Sequence, residues 1–285
     1  MATPIAGHPR YVEKGVGTRD ITMHNTVLDI VKMNPLLKAQ ITNAVGAVCG
    51  MVEMSQGIDF HFDRPMIAIS SFGFAEMAVQ GAVGMFEDAG FVPVVCHAQG
   101  KGDKAMEEMI ADGLFQGVVD FCTGGIIEHL CEGNRDPGPE PLMAAVQRGI
   151  PAVLAPCGLD FLSYGGRPDK LQETKDRARY VQDSFRIQVR TTAEELQQGA
   201  DIFADRLNQS KSPFTFLVPL RGWSSIDREG RPMYAPAADA TFVNRLRDRL
   251  TRKDAIKEVD LHLYTPEFAR VAVEEFSRFY RQMAN

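Results

Sequence analysis

From Pro65 onward, short apolar runs alternate along the chain with longer stretches in which apolar residues recur at helical spacing. This alternation is typical of βαβ units, which build a parallel sheet with helices on both faces. We therefore predict an α/β fold with a Rossmann-like parallel sheet. The predicted strands are Met66–Ser70, Val92–Cys96, Gly117–Phe121, Ala152–Ala155, Thr215–Pro219 and Glu258–Leu261. The predicted helices are Ala75–Ala89, Lys104–Asp112, Pro141–Arg148, Ala193–Asn208, Ala238–Thr251 and Pro266–Arg281.

The first part of the chain has a different pattern, with no convincing strand and one helical repeat of apolar residues between Leu37 and Val52. Small residues in the same stretch, among them Gly46 and Gly50, would let another element approach this helix closely. Two interpretations stay open: the helix covers the main sheet of its own chain, or it docks on a second chain.

Composition limits the partners and the compartment. The formal net charge is −6 and the two signs are interspersed, so no surface is expected to neutralise a nucleic-acid backbone. The N-terminal residues lack the unbroken apolar stretch of a signal peptide, and no run of about 18 apolar residues could span a bilayer. The five cysteines include no CxxC pair. We predict a cytoplasmic protein with no membrane or nucleic-acid partner and no metal site.

Ligands of an open parallel sheet bind in the crevice outside the carboxyl ends of the strands, so the residues that follow each strand are candidates. After the first and the third predicted strand, hydroxyls and glycines precede a helix, whose free N–H groups attract anions. The alternative is that both are turns with capping hydroxyls. These candidates are Ser70, Ser71, Gly73, Thr123, Gly124 and Gly125.

Two further groups stand at the same predicted edge. His97 follows the second strand and Asp160 lies after the fourth, and either could act as a general acid or base or could stabilise a turn. The loop after the fifth strand combines the chain's single tryptophan with a guanidinium that matches phosphate or carboxylate geometry. Its candidate ligand-binding residues are Arg221, Gly222, Ser224 and Ser225.

Several segments of the chain, taken in order, resemble the tomato mosaic virus resistance protein-like ATP-binding family, which is mostly uncharacterised. The resemblance spans nearly the whole chain. The segments that carry it are VGTRDITMHNTVLDI ending at Ile30, NAVGAVCGMVE from Asn43, HAQGKGDKAMEEMI from His97, GLFQGVVDF from Gly113, GIPAVLAPCGLDFLSYG from Gly149, RTTAEELQQGADIFADRLN from Arg190 and PLRGWSSIDREGRPMYAPAADA from Pro219.

The resemblance implies a fold of two Rossmann-like lobes, with ATP, and Mg²⁺ alongside it, as the cofactors to expect. Members of the family usually begin with a longer first part that contains a glycine-rich loop, and this sequence starts after that point. We therefore expect residues 1–63 to be the remnant of a first lobe with its packing helix, and residues 64–285 to be a complete Rossmann-like domain. A second copy of the chain, or a separate chain that supplies the missing segment, would then cover the helix at Leu37–Val52.

Three functions follow as hypotheses. The first is a protein that binds a small ligand, a nucleotide or a phosphorylated metabolite, and is either a binding subunit or a catalytic one. The second is a hydrolase or transferase that acts on a small anionic metabolite, with His97 or Asp160 as the acid–base group. The third is a protein-interaction or inhibitor module, which the resemblance to the plant family and the apolar helix suggest.

Overall fold

The structure is a computed structural model that describes residues 1–8, 12–13, 15–57 and 63–284. The chain divides into two compact units, residues 1–63 and residues 64–285. Residues 9–11, 14 and 58–62 of the predicted first-lobe remnant lie outside the described residues. Each unit is described by itself below.

Among its described residues, the first unit has two very short strands and one long helix. Strands β1 (Ala2–Thr3) and β2 (His24–Asn25) pair in parallel. At two residues each, they are too short to leave an alternating pattern in the sequence. Helix α1 (Pro35–Ser55) begins after Asn34, whose side chain accepts hydrogen bonds from the backbone N–H groups of Leu36 and Leu37, both at 3.0 Å.

The second unit is built on one six-stranded parallel sheet with the strand order β11-β10-β6-β5-β3-β4. The strands are β3 (Met66–Ser71), β4 (Val92–His97), β5 (Gly117–Asp120), β6 (Ala152–Leu154), β10 (Phe214–Pro219) and β11 (Ile256–Val259). The predicted α/β fold with a Rossmann-like parallel sheet is therefore confirmed. The last strand begins and ends two residues before the predicted Glu258–Leu261, because Ile256 pairs with Phe216 and the pairing ends at Val259.

Helices flank both faces of this sheet. The helices described in the second unit are α2 (Glu76–Asp88), α3 (Lys101–Ala111), α4 (Gly125–Leu130), α5 (Met143–Arg148), α6 (Pro168–Glu173), α7 (Ala193–Leu207), α8 (Pro236–Arg249) and α9 (Pro266–Ala284), of which α6 lies in the segment between β6 and α7. Alternate strand residues face opposite layers: Ile67 and Ile69 pack in one hydrophobic cluster and Ala68 in another. Helix α3 begins three residues before the predicted Lys104, since the Asp103 side chain accepts a hydrogen bond from the N–H of Gly100 at 2.7 Å.

The segment between β6 and α7 adds a small antiparallel sheet that the sequence pattern does not predict. Its strands are β7 (Phe161–Ser163), β8 (Arg179–Val181) and β9 (Ile187–Arg190), in the order β7-β9-β8. Aromatic contacts join it to the residues after β3: the Phe74 ring lies 5.1 Å from that of Phe161 and 5.8 Å from that of Tyr180. The small sheet therefore covers part of the carboxyl edge of the main sheet.

Candidate functional site

The strand order creates a topological switch point between β3 and β5, because the chain leaves β3 toward β4 on one side and then crosses to β5 on the other. Ligands of doubly wound sheets bind outside the carboxyl ends of the strands at such a point. Here a hydrogen-bonded pair joins the two strand ends: the Ser70 hydroxyl donates to Asp120 Oδ1 at 2.5 Å. The N–H of Cys122 lies 2.9 Å from Ser70 Oγ and 3.1 Å from Asp120 Oδ1.

Asp120 is a functional candidate that the list of strand-following residues missed. It ends a fully buried strand, and burial raises the pKa of its carboxyl to about 6, although the hydrogen bonds from Ser70 and Cys122 act in the opposite direction. A charged residue at the last position of an otherwise apolar strand was the signal that could have identified it.

A buried arginine, Arg135, lies beside the loops that follow β3 and β6. The Arg135 guanidinium stacks over the rings of Phe72 and Phe161, at 4.6 and 4.9 Å from their centroids. Its Nη2 lies 2.8 Å from Glu128 Oε1, and its Nε donates to Ser163 Oγ at 2.9 Å. Arg135 is therefore already bound by side chains of the protein. The rings of Phe72 and Phe161 cover its guanidinium group.

The predicted anion-binding loop after β5, residues 123–125, lies next to Gly158, which Arg135 also approaches. Thr123 is buried and its hydroxyl donates to the backbone carbonyl of Ala155 at 2.8 Å. Gly124 presses against Gly158 so closely that a Cβ would overlap the Gly158 backbone, and a side chain at Gly125 would meet Pro137. Thr123 and Gly124 therefore bring the β5 and β6 loops together, and Gly125 lets the connection between α4 and α5 approach closely.

The open part of the edge lies at β3 and β4. Ser71 and His97 are register partners at the last positions of these strands, so their side chains stand side by side. His97 and Gly73 are exposed and Ser71 is half-buried. Helix α2 follows directly, and no side chain caps its start at Ala75. We call Ser71, Gly73, His97 and the start of α2 the open edge.

Asp103 lies next to this region and was not singled out from the sequence. Burial raises the pKa of its carboxyl to about 7, the charge of Asp120 raises it further, and Arg135 and the Gly100 N–H oppose the rise. Asp103 therefore titrates near neutral pH within the same group of residues as Asp120 and Arg135.

Asp160 belongs to a second network, at the other side of the edge. Its Oδ2 accepts from the Ser224 hydroxyl at 2.6 Å and its Oδ1 from the N–H of Gly158 at 3.1 Å. Arg190 Nη1 donates to the Asp160 carbonyl at 2.6 Å, while Arg190 Nη2 forms an ion pair with Asp239. Asp227 accepts from the N–H of Trp223 at 2.8 Å. We call Asp160, Asp227, Asp239 and Arg190 the buried charge cluster.

The carboxyls of this cluster all hold their protons more tightly than usual. Burial is the main cause; it raises the pKa of Asp160 to about 6 and that of Asp239 to about 8. The pKa of Asp227 is raised in the same direction. Three carboxyls for one guanidinium favour a cluster that retains protons near neutral pH. Neither Arg190 nor Asp239 was singled out from the sequence, since each reads as an ordinary residue of a surface element.

The loop after β10 divides between the surface and the core. Arg221 is exposed and makes two hydrogen bonds of 2.8 Å to the Asp260 carboxylate. Gly222 has φ 127° and a Cβ there would overlap the Asp227 carbonyl, so the turn requires glycine. Trp223 is buried against Phe242, and the N–H of Ser225 donates to the Phe74 carbonyl at 2.9 Å. The structure thus brings Ser224 to Asp160 but directs Arg221 to solvent.

Comparison with known proteins places this architecture in a family. The C-terminal domain of the uncharacterised protein family UPF0261 matches residues 64–280, and the N-terminal domain of that family matches residues 1–57. The chain belongs to the UPF0261 family. The resemblance found in the sequence segments is confirmed at this level.

The UPF0261 relatives include proteins from bacteria and from a plant. The chain is 33% identical to a UPF0261 protein of Clostridium tetani over 255 residues, which cover 89% of this chain and 63% of that protein. It is 28% identical to the ToMV resistance protein Tm-1(GCR237) of Solanum lycopersicum over 273 residues, 93% of this chain and 36% of that protein. A UPF0261 protein of Rhizobium meliloti is 30% identical over 273 residues, 95% of this chain and 67% of that protein. The chain thus spans less than two thirds of the Clostridium and tomato proteins.

No helix in the described ranges combines the length and the apolar character needed to cross a bilayer. Among the same residues, no group of three or more His, Cys, Asp or Glu side chains is arranged to hold a metal ion.

Proposed function

We propose that the second unit of this UPF0261 protein binds a small anionic ligand, a nucleotide or another phosphorylated metabolite, at the open edge. The observation that carries the proposal is the start of α2, a helix of 13 residues whose first turn has no side-chain cap. The free N–H groups of such a helix start attract an anion. Because nothing lies within 4 Å of a Cβ built on Gly73, a ligand can approach the backbone there.

The side chains around this helix start fit the same ligand. Ser71 offers a hydroxyl and His97 an imidazole, and the two residues are register partners at the strand ends, two positions before Gly73 in the case of Ser71. Lys101, the first residue of α3, is exposed nearby in the chain and adds a positive charge. Glu76 in the first turn of α2 carries the opposite sign. A phosphate bound at the N–H groups would therefore be repelled by Glu76 and attracted by the groups on the strand side.

The remaining predicted residues have supporting roles in this proposal. Ser70, Thr123, Gly124 and Gly125 fix the loops beneath the open edge, and Ser224 and Ser225 do the same on the side of Asp160. Arg221 and Gly222 belong to the rim of the β10 loop. ATP with Mg²⁺ is the first ligand to test, because the sequence resemblance implies it, and inorganic phosphate tests the anion site alone.

The experiment is isothermal titration calorimetry of the full chain with Mg²⁺–ATP, AMP and inorganic phosphate. We expect binding that weakens about tenfold or more in Ser71→Ala and in His97→Ala, each of which removes a side-chain donor at the open edge. Glu76→Gln is expected to strengthen binding, because it removes the repelling charge. Ser184→Ala, an exposed serine in the β8–β9 loop, is the matched control and should bind like the wild type. No heat with any of the three ligands would overturn the proposal.

A hydrolase or transferase activity remains the alternative, and one observation bears on its acid–base group. His97 is exposed at the open edge, whereas Asp160 is fully buried and bonded to Ser224. An enzyme acting at the open edge would therefore use His97. Phosphate release from ATP that persists undiminished in His97→Gln would contradict this role.

The protein-interaction hypothesis and the predicted second copy rest on α1. Its side chains Val45, Val48 and Val52 are each more than half exposed in the first unit. Native mass spectrometry of the full chain measures the oligomeric state directly. A dimer that dissociates in Val48→Glu would support the prediction, and a monomeric wild type would contradict it.

A further inference from the structure

A cavity of about 180 Å³ lies outside the carboxyl ends of β10 and β11, against the first turns of α8. Its walls are mainly apolar and include the side chains of Val218, Trp223, Tyr234 and Val243. A cavity of roughly 150 Å³ lined by apolar side chains has room for one benzene ring. The cavity of this protein therefore fits a single ring with a short substituent.

The charged groups that line this cavity are both acidic. Asp239 lines it from α8 and Glu258 from β11, and no lysine or arginine lines it among the described residues. Asp239 is buried, and its Oδ1 faces Arg190, which it shares with Asp160 and Asp227. Glu258 is partly exposed and forms an ion pair with Arg247. The cavity thus borders a cluster with three carboxyls for one guanidinium.

The start of α8 does not make the cavity favourable for an anion. A helix start favours anions through its free N–H groups, but the first helical residue here is Pro236, which has none. Asp239 itself occupies the first turn and meets the positive end of the helix dipole. An added anion would therefore face Asp239 at close range, and an added cation would be attracted by it.

We propose that this cavity binds a small organic cation, a primary ammonium group on an apolar body about one ring in size. The ammonium group pairs with the Asp239 carboxylate, and the ring packs between Trp223, Tyr234 and Val243. The aromatic walls add a favourable interaction with the positive charge. This proposal is independent of the anion site at the open edge, which lies on different strands.

Binding of such a cation is linked to a proton. Burial raises the pKa of the Asp239 carboxyl to about 8, so the proton that this carboxyl takes up as the pH falls competes with the ammonium group. The groups that face Asp239 are Arg190, Asp160 and Asp227, with Glu258 at the rim. As the pH rises through 8, Asp239 loses its proton while an alkyl ammonium keeps its own. The affinity is therefore expected to rise between pH 6.5 and pH 8.5.

The experiment compares benzylamine with benzyl alcohol, which has the same size and no charge. Each is titrated into the full chain and followed by the fluorescence of Trp223, the only tryptophan. At pH 8.5 we expect benzylamine to bind about tenfold more tightly than benzyl alcohol, and this preference to fall at pH 6.5. Equal affinities for the two compounds at both pH values, or no binding of either, would overturn the proposal.

Three variants locate the site. Asp239→Asn should remove the preference for the amine and its pH dependence, whereas Asp248→Asn, an exposed aspartate on the same helix, should change neither. Ala240→Leu fills the cavity from an exposed position of α8 and should abolish binding of both compounds without touching the charge cluster. An Ala240→Leu variant that binds benzylamine like the wild type would contradict the assignment even if Asp239→Asn failed to fold.

Discussion

Two serine–aspartate pairs stand at opposite sides of the same sheet edge and look alike at first. The Ser70 hydroxyl donates to Asp120 at 2.5 Å and the Ser224 hydroxyl donates to Asp160 at 2.6 Å, and all four side chains are buried. They differ in their surroundings. The partners that hydrogen-bond to Asp120 are a hydroxyl and a backbone N–H, whereas Asp160 belongs to a cluster with Arg190, Asp227 and Asp239.

The difference separates two ways of stabilising a strand end. In the Ser70–Asp120 pair, uncharged donors bind the carboxyl and join neighbouring strands. The free energy that this pair contributes therefore comes from hydrogen bonds alone. The buried charge cluster joins the small antiparallel sheet, the β10 loop and α8, because Arg190 ends β9, Asp227 lies in the loop and Asp239 is on the helix. Its strength depends on one cation. Changes to that cation should therefore distinguish the two sites most clearly.

The largest expected effect is that of Arg190→Met. Removing one partner of a buried ion pair leaves carboxylates without compensation, which typically costs about 3–5 kcal/mol of unfolding free energy. We expect a loss of that size at pH 8 and a smaller one at pH 5.5, where the carboxyls with raised pKa are protonated. Urea unfolding followed by Trp223 fluorescence measures it, because that residue packs in the core of the second unit.

The matched control is Arg245→Met. Arg245 also makes a two-bond contact to an aspartate, Asp201, at 2.7 and 3.0 Å, but the Arg245 side chain is exposed and that of Asp201 is partly exposed. Exposed ion pairs contribute little because water and salt screen them. The control should unfold at the same urea concentration as the wild type. If the two variants behaved alike, the buried charge cluster would not be what holds the small sheet in place.

Much of the fold follows from the hydrophobic pattern, and the exceptions have physical causes. The main strands and helices are long enough for their hydrophobic pattern to be recognised. The observed ends of Val92–His97 and Ala193–Leu207 therefore differ from the predicted ends by one residue. The antiparallel strands contain three or four residues each, and β7 follows β6 closely in a continuously buried stretch. Such a run carries no alternation that separates strand from loop.

The candidate site was harder to predict than the fold. A rule based on residues after strand ends selects Ser70, Asp160 and Ser224, and the structure places each of these at the carboxyl edge in a buried network. The rule does not select their partners, because Asp120 lies inside the predicted strand Gly117–Phe121 and Arg190 comes from the inserted sheet. Charge pairing between distant elements leaves no local pattern in a single sequence.

The next largest effect concerns the two serines themselves. Ser70 Oγ both donates to Asp120 and lies 2.9 Å from the Cys122 N–H, whereas Ser224 Oγ has one such partner, Asp160. Ser70→Ala should therefore cost about 2–3 kcal/mol and Ser224→Ala about 1–2 kcal/mol, since hydrogen bonds to carboxylates are worth roughly 1.5–3 kcal/mol. The same urea measurement at pH 7 gives both values.

A conservative pair sharpens this test. Ser70→Thr and Ser224→Thr keep the hydroxyl, so each should recover part of the loss if the hydrogen bond is its cause. A larger loss in Ser224→Ala than in Ser70→Ala would reverse the predicted order. It would mean that the Ser224 hydroxyl stabilises the charge cluster more than the Ser70 hydroxyl stabilises the ends of β3 and β5.

The smallest expected effect is a difference in pH dependence between Asp120→Asn and Asp239→Asn. A carboxyl whose pKa is raised by folding stabilises the protein most when both states are protonated, and this contribution is lost as the pH rises through the folded-state pKa. For Asp120 the window runs from the usual pKa of 3.8 to about 6, and for Asp239 it runs from 3.8 to about 8. Between pH 6.5 and pH 8, the wild type should therefore lose stability relative to Asp239→Asn but not relative to Asp120→Asn.

That relative loss should be about 1.4 kcal/mol for each pH unit over which Asp239 keeps its proton in the folded state and has lost it in the unfolded state. Comparing variants with the wild type at each pH removes the contributions of Asp103 and Glu107, whose pKa values are also raised, to about 7. Urea unfolding at pH 5, 6.5 and 8 gives the three differences. If the Asp120→Asn difference also changed above pH 6.5, the two networks would share their protons. The hydrogen-bonded pair and the charge cluster would then form one titrating system along the whole edge of the sheet.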